Sequence, residues 1–239
     1  MKNTLKIFGM LLVATVLFHL TLNMMLNNIE EFETVPLPPK RIPKFVTYNP
    51  VIKVNASSTK TWTLVNFSTG KTYKIADPAK EKARIAKLNW DLGFQRTKII
   101  TNGGITNPSG QVGVLNLGRV KFDDIRKPPE TGFLVDSKFF GKVLNRGIAD
   151  WYNYRTRTHN VESRKNVYVI RTSSGQYMKM RILNYYCRQK ESDCQSIMCT
   201  REDAACLTIE YVLAPESGME FPVNTASSAP IENSTQVVN

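Results

Sequence analysis

Four cysteines form the densest cluster of reactive side chains in this chain of 239 residues. Cys187, Cys194, Cys199 and Cys206 all fall between two segments with strand-like patterns. An even number of cysteines in an exported domain is typical of disulfides, and four thiols allow three connectivities. We expect nested pairing, because Cys187 ends one strand and Cys206 begins the next, which leaves Cys194 and Cys199 to close the tip. A four-thiolate zinc site is the alternative, although the spacing lacks the usual C-x2-C knuckle.

Histidine is scarce, which limits the chemistry available to the chain. Of its two histidines, His19 lies in an apolar N-terminal run, so His159 is the candidate for acid–base chemistry or for ligating a metal. A nucleophile elbow, a Walker loop and a dinucleotide-binding glycine pattern are all absent as continuous motifs. Asp123 and Asp124 are adjacent, but they lack the spacing of a calcium-binding loop. The sequence therefore indicates a binding protein and not an enzyme.

The net charge of +12 favours anionic partners. This charge belongs to the middle of the chain, because no Lys or Arg follows Arg201. Lysine and arginine are scattered and not clustered with aromatic residues, and no known nucleic-acid-binding motif is present. We therefore expect no nucleic-acid partner.

The N-terminus has the pattern of a membrane anchor. Residues 7–26 contain no charged side chain and follow Lys2 and Lys6. About 20 residues at 1.5 Å each can cross a bilayer, and no small-residue cleavage site follows the run. We interpret residues 1–28 as a cytoplasmic start and an uncleaved signal-anchor helix, with a cleaved signal peptide as the alternative. The basic flank predicts a single-pass protein of the inner membrane, with its C-terminal domain in the periplasm or outside the cell.

Composition divides the rest of the chain into three parts. Residues 29–44 include the run VPLPPKRIPK, which is typical of a stiff, extended linker. Residues 45–221 carry the apolar periodicity of a folded domain, with a cysteine-rich hairpin at 187–206. Residues 222–239 are polar and rich in small side chains, and we predict a disordered tail there.

The domain has the signature of an all-β fold. Two hairpins are predicted around the turns STG at 68–70 and SSG at 173–175. In the second, alternation puts Met178, Met180 and Ile182 on one face of a strand. Short helices are expected from Asp77 to Lys87, with Asp77 as the cap, and over residues 137–144.

A series of short motifs, in this order, resembles the HmuY family of haem-binding envelope proteins over about residues 62–213. The series is Trp62, NFSTGK at 66–71, WDLGFQR at 90–96, ITNGG at 100–104, GFLVD at 132–136, WYNY at 151–154, His159, VYVIRT at 167–172, GQY at 175–177 and YY at 185–186. The resemblance implies compact antiparallel sheets, short helices and projecting loops that grip haem, preceded here by one N-terminal transmembrane helix.

The resemblance also implies axial ligands for haem iron, paired histidines in some members and methionines in others. With His159 as the histidine outside the anchor, His–Met or Met–Met ligation is expected, drawing on Met178, Met180, Met198 or Met219. Aromatic side chains would stack on the macrocycle, and the candidates are Trp151, Tyr152 and Tyr154. In an extended segment, Tyr152 and Tyr154 share one face while Trp151 points the other way.

Two functions follow from these patterns. The first is haem or porphyrin binding at the envelope, with the membrane engaged through residues 7–26. The second is a structural subunit of a membrane-anchored envelope assembly that binds protein partners and has lost haem. The permanent anchor and the missing second histidine favour the second function, whereas the family resemblance favours the first.

Overall fold

The computed structural model describes residues 2–27, 47–194, 197–215, 220–222 and 236–238. The chain divides into two compact units, Met1–Lys44 and Phe45–Asn239. The predicted linker at 29–44 lies outside the described residues.

The first unit contains the helix α1 (Lys2–Asn27), so the predicted N-terminal apolar helix is present. Its segment Lys6–Met24 has a mean hydropathy of 1.9 and is long and apolar enough to cross a membrane, a test that a signal sequence also passes. The hydroxyls of Thr15 and Thr21 donate to backbone carbonyl oxygens one turn earlier. These bonds satisfy the hydroxyl groups within the helix, which lowers the free-energy cost of placing threonine in an apolar segment.

The second unit is built from short strands. In chain order they are β1 (Val51–Asn55), β2 (Trp62–Val65), β3 (Thr72–Ile75), β4 (Leu92–Gln95), β5 (Lys98–Thr101), β6 (Gly113–Asn116), β7 (Ser137–Phe139), β8 (Lys142–Leu144), β9 (Tyr152–Arg155), β10 (Asn160–Ser163), β11 (Val167–Arg171), β12 (Tyr177–Tyr186), β13 (Ala204–Leu213) and β14 (Gln236–Val238). A single short helix, α2 (Lys82–Ile85), and three brief 3-10 turns accompany them among the described residues. The predicted all-β class with short helices is confirmed.

The strands form two sheets and two separate hairpins. The larger sheet has the order β14-β1-β13-β12-β11-β6, and the smaller has the order β3-β2-β4-β5. Neighbouring strands are antiparallel except for β1 and β14, which run parallel. The pairs β7–β8 and β9–β10 are two-stranded hairpins outside these sheets. Both hairpins predicted from the STG and SSG turns are present, as β2–β3 and β11–β12.

Both faces of the long strand β12 are buried. Met178 and Met180 point into the largest hydrophobic core, on the shared face that their spacing predicts. Lys179 and Arg181 occupy the other face, yet they are only 2% and 9% exposed. Their charged groups lie 4.8 and 5.1 Å from the ring centroid of Phe122, whose segment covers this face of the sheet.

The helix predicted over residues 137–144 is wrong. The segment forms the hairpin β7–β8, whose two turn residues Phe140 and Gly141 have φ values of 46° and 78°. Positive φ at both central residues is the type I′ geometry that joins antiparallel strands, and a glycine in the middle of a segment weakens a helix.

The helix predicted from Asp77 to Lys87 shortens to α2. The carboxylate of Asp77 does accept a hydrogen bond from the backbone N–H of Ala79, at 2.9 Å. That bond and the bonds from the Lys80 and Glu81 N–H groups to the Asp77 carbonyl oxygen close a single turn, and the helix itself begins only at Lys82.

Three residues of the predicted disordered tail form a strand. In β14, Gln236 lies opposite Ile52 and Val238 lies opposite Val54 of β1. This strand adds a parallel edge to the larger sheet, whereas residues 223–235 and 239 lie outside the described residues.

Candidate functional site

A cleft of about 480 Å³ lies between the hairpin β9–β10 and the segment that joins β12 to β13. We call it the tyrosine cleft. Its lining includes the four tyrosines Tyr152, Tyr154, Tyr185 and Tyr186, the cations Arg96 and Arg201, and the two candidate donors His159 and Met198. Cavities of this size, with aromatic walls and a few polar groups, are typical of small-molecule and cofactor sites.

His159 ends the turn of the β9–β10 hairpin, where its backbone φ is 54°. Histidine is one of the few non-glycine residues enriched in this left-handed region. The register places Tyr154 opposite Val161, two residues beyond the histidine. The exposed imidazole is thereby held at the rim of the cleft, where its Nδ1 lies 2.7 Å from the Tyr154 phenol oxygen.

This contact determines what the second ring nitrogen of His159 can do. When Nδ1–H donates to the Tyr154 oxygen, Nε2 carries the free lone pair of a neutral imidazole. Metal-binding histidines are commonly oriented by such a hydrogen bond from the nitrogen that does not ligate. The pair can therefore present a fixed nitrogen donor to a ligand in the cleft.

Asn160 fastens the opposite wall of the cleft to the same hairpin. Its side-chain amide donates to the carbonyl oxygens of Cys194 and Ile197, at 2.6 and 2.8 Å. Its Oδ1 accepts a hydrogen bond from the Cys199 N–H at 2.8 Å. These bonds hold the residues on both sides of Met198, whose side chain is half exposed in the cleft lining. A nitrogen donor and a thioether therefore line one cleft, linked through a single buried amide.

Two disulfides brace this wall. Cys187 is bonded to Cys206 and Cys194 is bonded to Cys199, which is the nested arrangement expected from the sequence. All four thiols are consumed, which leaves none for the alternative four-thiolate zinc site. Across the described residues, no group of three or more His, Cys, Asp or Glu side chains could hold a metal ion.

The tyrosines of the inner wall are held in their neutral form. Burial raises the pKa of Tyr185 to about 12, and it also raises the pKa of Tyr186. The Tyr186 hydroxyl accepts a hydrogen bond from the Val161 N–H at 2.9 Å, which joins β12 to β10. Tyr185 packs on Trp151, with 5.9 Å between ring centroids. The wall is therefore aromatic and uncharged, whereas the charges of Arg96 and Arg201 come from the surrounding segments.

Asp203 organises the base of the cysteine segment. Its buried carboxylate accepts hydrogen bonds from the backbone N–H groups of Arg188 and Gln189, at 2.9 and 2.7 Å, and from the Arg188 guanidinium at 3.0 Å. Burial alone would raise the pKa of Asp203, but these donors outweigh it and hold the pKa below its usual value.

The structure brings together some of the predicted site residues and separates others. Tyr152, Tyr154 and His159 line the tyrosine cleft together. Met178 and Met180 do not, since both are fully buried in the core of the larger sheet.

Of two further candidates, Trp151 and Met219, only Trp151 lies among the described residues. Trp151 is 1% exposed, and its indole N–H donates to the carbonyl oxygen of Thr97 at 2.9 Å, so it supports the cleft from behind. Met219 lies outside the described residues.

Asn160 and Arg96 have roles that the sequence did not indicate. Asn160 directly follows His159, and an asparagine beside a candidate ligand is a weak signal by itself. Arg96 comes from the turn between β4 and β5, far from the hairpin in sequence. Only the tertiary fold brings them to one site.

The sequence of the folded domain matches a known protein family. The family model described as HmuY protein matches residues 58–198, which is more than half of the chain. The chain belongs to the HmuY family. HmuY proteins are binding proteins and not enzymes, in agreement with the lack of catalytic motifs.

Two solved structures share the HmuY fold of this chain. The apo HmuY analog (TFO) of Tannerella forsythia has a TM-score of 0.52 at 16% identity, over 70% of this chain and 96% of that one. Apo PinO from Porphyromonas gingivitis has a TM-score of 0.53 at 13% identity, over 72% of this chain and all of that one. At these identities the similarity establishes the fold alone.

One curated protein has a local similarity to the HmuY chain. The shikimate dehydrogenase (NADP(+)) of Bacillus cytotoxicus is 36% identical over 75 residues, which is 31% of this chain. The aligned part is only 27% of the dehydrogenase, so this chain spans about a quarter of that protein.

Proposed function

We propose that this HmuY-family chain binds haem in the tyrosine cleft, where His159 and Met198 would hold its iron. The observation that carries the proposal is that both donors line one cleft, His159 held by Tyr154 and the residues on both sides of Met198 held by Asn160. Imidazole nitrogen and thioether sulfur are an established pair of axial ligands for haem iron.

The residues of the cleft fit such a ligand in three further respects. Tyr152, Tyr154 and the inner tyrosines offer aromatic surface to a flat macrocycle. Arg96 and Arg201 offer guanidinium groups to its carboxylates. When Nδ1–H of His159 donates to the Tyr154 oxygen, Nε2 is free to ligate. When bound, haem would supply an iron centre that accepts these side chains.

We further propose that α1 is retained as a signal anchor and holds the domain at the outer side of the inner membrane. The apolar segment Lys6–Met24 and the two disulfides support an exported, membrane-attached protein. Intact-mass analysis of the protein purified from membranes tests this proposal. A mass that includes the first 28 residues is expected, and a mature protein that begins after α1 would contradict it.

Haemin titration tests the binding proposal. The full chain in detergent micelles, corrected for a titration of micelles alone, should give a Soret shift that saturates at one equivalent. His159→Ala should alter the shift, whereas His19→Ala removes the other histidine and should not.

A lack of saturable change in the wild-type chain would contradict haem binding. The alternative would then be a structural subunit whose HmuY domain binds envelope proteins. Equal spectra for wild type and His159→Ala would retain haem binding but reject His159 as a ligand.

A further inference from the structure

The hairpin β7–β8 carries an exposed aromatic tip. Phe140 is 90% exposed and Phe139 is 45% exposed, and their ring centroids are 4.5 Å apart. Val143, on the second strand, is 45% exposed. Of the eight residues from 137 to 144, only Leu144 is partly buried. The hairpin therefore presents apolar side chains at the surface, with Phe140 almost fully exposed and Phe139 and Val143 about half exposed.

The turn has a bulky residue at a position where the backbone conformation favours a small one. Phe140 has a φ of 46° at the first central position of a type I′ turn, which normally takes asparagine, aspartate or glycine. A bulky side chain in this left-handed region is strained. Because the ring buries little of its surface in return, its presence points to contact with something outside the fold.

The charged residues in and next to the hairpin, over positions 137–149, are all positive. Lys138 and Lys142 flank the two phenylalanines, and the guanidinium of Arg146 lies over the Phe139 ring at 5.6 Å. No acidic residue occurs between Asp136 and Asp150. Asp136 is buried and accepts hydrogen bonds from the hydroxyls of Thr101 and Thr106. The hairpin thus combines an apolar tip with basic residues beside it.

We propose that this hairpin is a second membrane contact, which inserts its phenylalanines at the surface of an anionic bilayer. Aromatic side chains settle at the boundary between headgroups and acyl chains, and nearby lysine and arginine bind anionic headgroups. The positive charge disfavours a second copy of the same tip as the binding partner, because the two sets of basic residues would repel each other. The contact is independent of haem and would fix the orientation of a domain tethered at the membrane.

Depth-dependent fluorescence tests the contact. The full chain carrying Phe140→Trp is reconstituted through α1 into vesicles with lipids brominated in the acyl chain. Two compositions are compared, phosphatidylcholine alone and phosphatidylcholine with phosphatidylglycerol. The wild-type signal from Trp62, Trp90 and Trp151 is subtracted first. The emission of the tryptophan at position 140 should then be quenched in the anionic vesicles. Without anionic lipid, the population of the inserted state should be about tenfold lower.

Two variants control for position and charge. Ser174→Trp puts the same probe at the tip of the β11–β12 hairpin, which lacks flanking lysines, and should not be quenched. Lys138→Glu with Lys142→Glu, in the Phe140→Trp background, should abolish quenching.

The outcomes are decisive. No quenching at position 140, or quenching equal in both compositions and unaffected by the lysine changes, would overturn the proposal. Quenching at position 174 equal to that at 140 would overturn it as well. The haemin titration is a separate measurement, so failure of either proposal is recognised independently of the other.

Phe140→Asn separates a membrane role from a structural one. Asparagine suits the left-handed turn, so the melting temperature should stay equal or rise. Quenching of a probe at Phe139→Trp by brominated lipid should nevertheless fall in this variant. A fall in melting temperature with unchanged quenching would mean that Phe140 serves the fold.

Discussion

The phenol oxygen of Tyr154 and Nδ1 of His159 are 2.7 Å apart across the β9–β10 hairpin. Both side chains are exposed at the rim of the tyrosine cleft, so neither is fixed by burial. The hydrogen bond is therefore the side-chain interaction that orients the imidazole. A ligand that needs the Nε2 lone pair should be sensitive to the loss of the phenol.

Tyr154→Phe removes this hydrogen bond while keeping the aromatic ring. Loss of such a supporting partner typically weakens metal binding by about 10- to 100-fold, and we expect a loss of this size in haemin affinity. Equilibrium titration measures it. Tyr152→Phe is the matched control, because Tyr152 lines the same cleft and has its ring against Trp151. Equal losses in both variants would contradict a specific role for Tyr154.

The methionines are expected to divide into a ligand and core residues. Met198→Leu should lower haemin affinity by at least about tenfold, since a direct ligand should matter no less than its supporting partners. It should also change the Soret spectrum of the bound haemin, with little effect on the melting temperature. Met198 is half exposed, so its replacement leaves no cavity.

Met178→Ala should have the opposite effect. The residue is fully buried, and truncation of a buried methionine costs about 2–5 kcal/mol of unfolding free energy. The spectrum of bound haemin should be unchanged. Chemical denaturation and the titration together test the division, and a spectral change in Met178→Ala with none in Met198→Leu would reverse it.

The alternation of Met178 and Met180 was visible in the sequence, but their separation from the cleft was not. Period two assigns a residue to a face of the strand and leaves open which face meets the core. In β12 both faces are buried, because the Phe122 segment covers Lys179 and Arg181. Charged residues on a strand are usually exposed to solvent, so the burial of this face follows only from the tertiary structure.

Local patterns predicted the disulfides and two hairpins, whose determining contacts are close in sequence. The nested disulfides follow from a hairpin with Cys187 and Cys206 at its base. The turn STG and the turn SSG each join strands that pair directly. The helix over 137–144 failed, because Phe140 and Gly141 form a turn whose backbone conformation is rare for phenylalanine.

Asn160 should prove to be a positioning residue for the opposite wall of the cleft. Asn160→Ala leaves the carbonyl of Cys194 and the N–H of Cys199 without their partner, and such a loss costs about 1–3 kcal/mol when the groups are buried. Haemin affinity should fall as Met198 becomes less fixed. Hydrogen exchange at the Cys199 amide should accelerate, whereas unchanged exchange would contradict this role.

Asp203 should make the cysteine segment acid-sensitive. Its folded-state pKa lies below the unfolded value of about 3.9, because the carboxylate accepts N–H donors from Arg188 and Gln189. A depressed folded pKa means that the unfolded state binds the proton more readily. The stabilisation is therefore complete above pH values of about 5 and is lost as the pH falls through the folded pKa.

Asp203→Asn removes the charge and keeps one acceptor oxygen. At pH 7 we expect the unfolding free energy, with both disulfides intact, to fall by about 1–3 kcal/mol relative to wild type. The gap should narrow as the pH falls below the unfolded pKa of about 3.9 and close below the folded pKa, because protonation removes the same charge from the wild type. Asp193→Asn provides the control, since Asp193 is exposed in the same segment. Denaturant titrations at several pH values measure the gap, and a gap that persists undiminished at pH 3 would mean that the Asp203 carboxylate does not act through its charge.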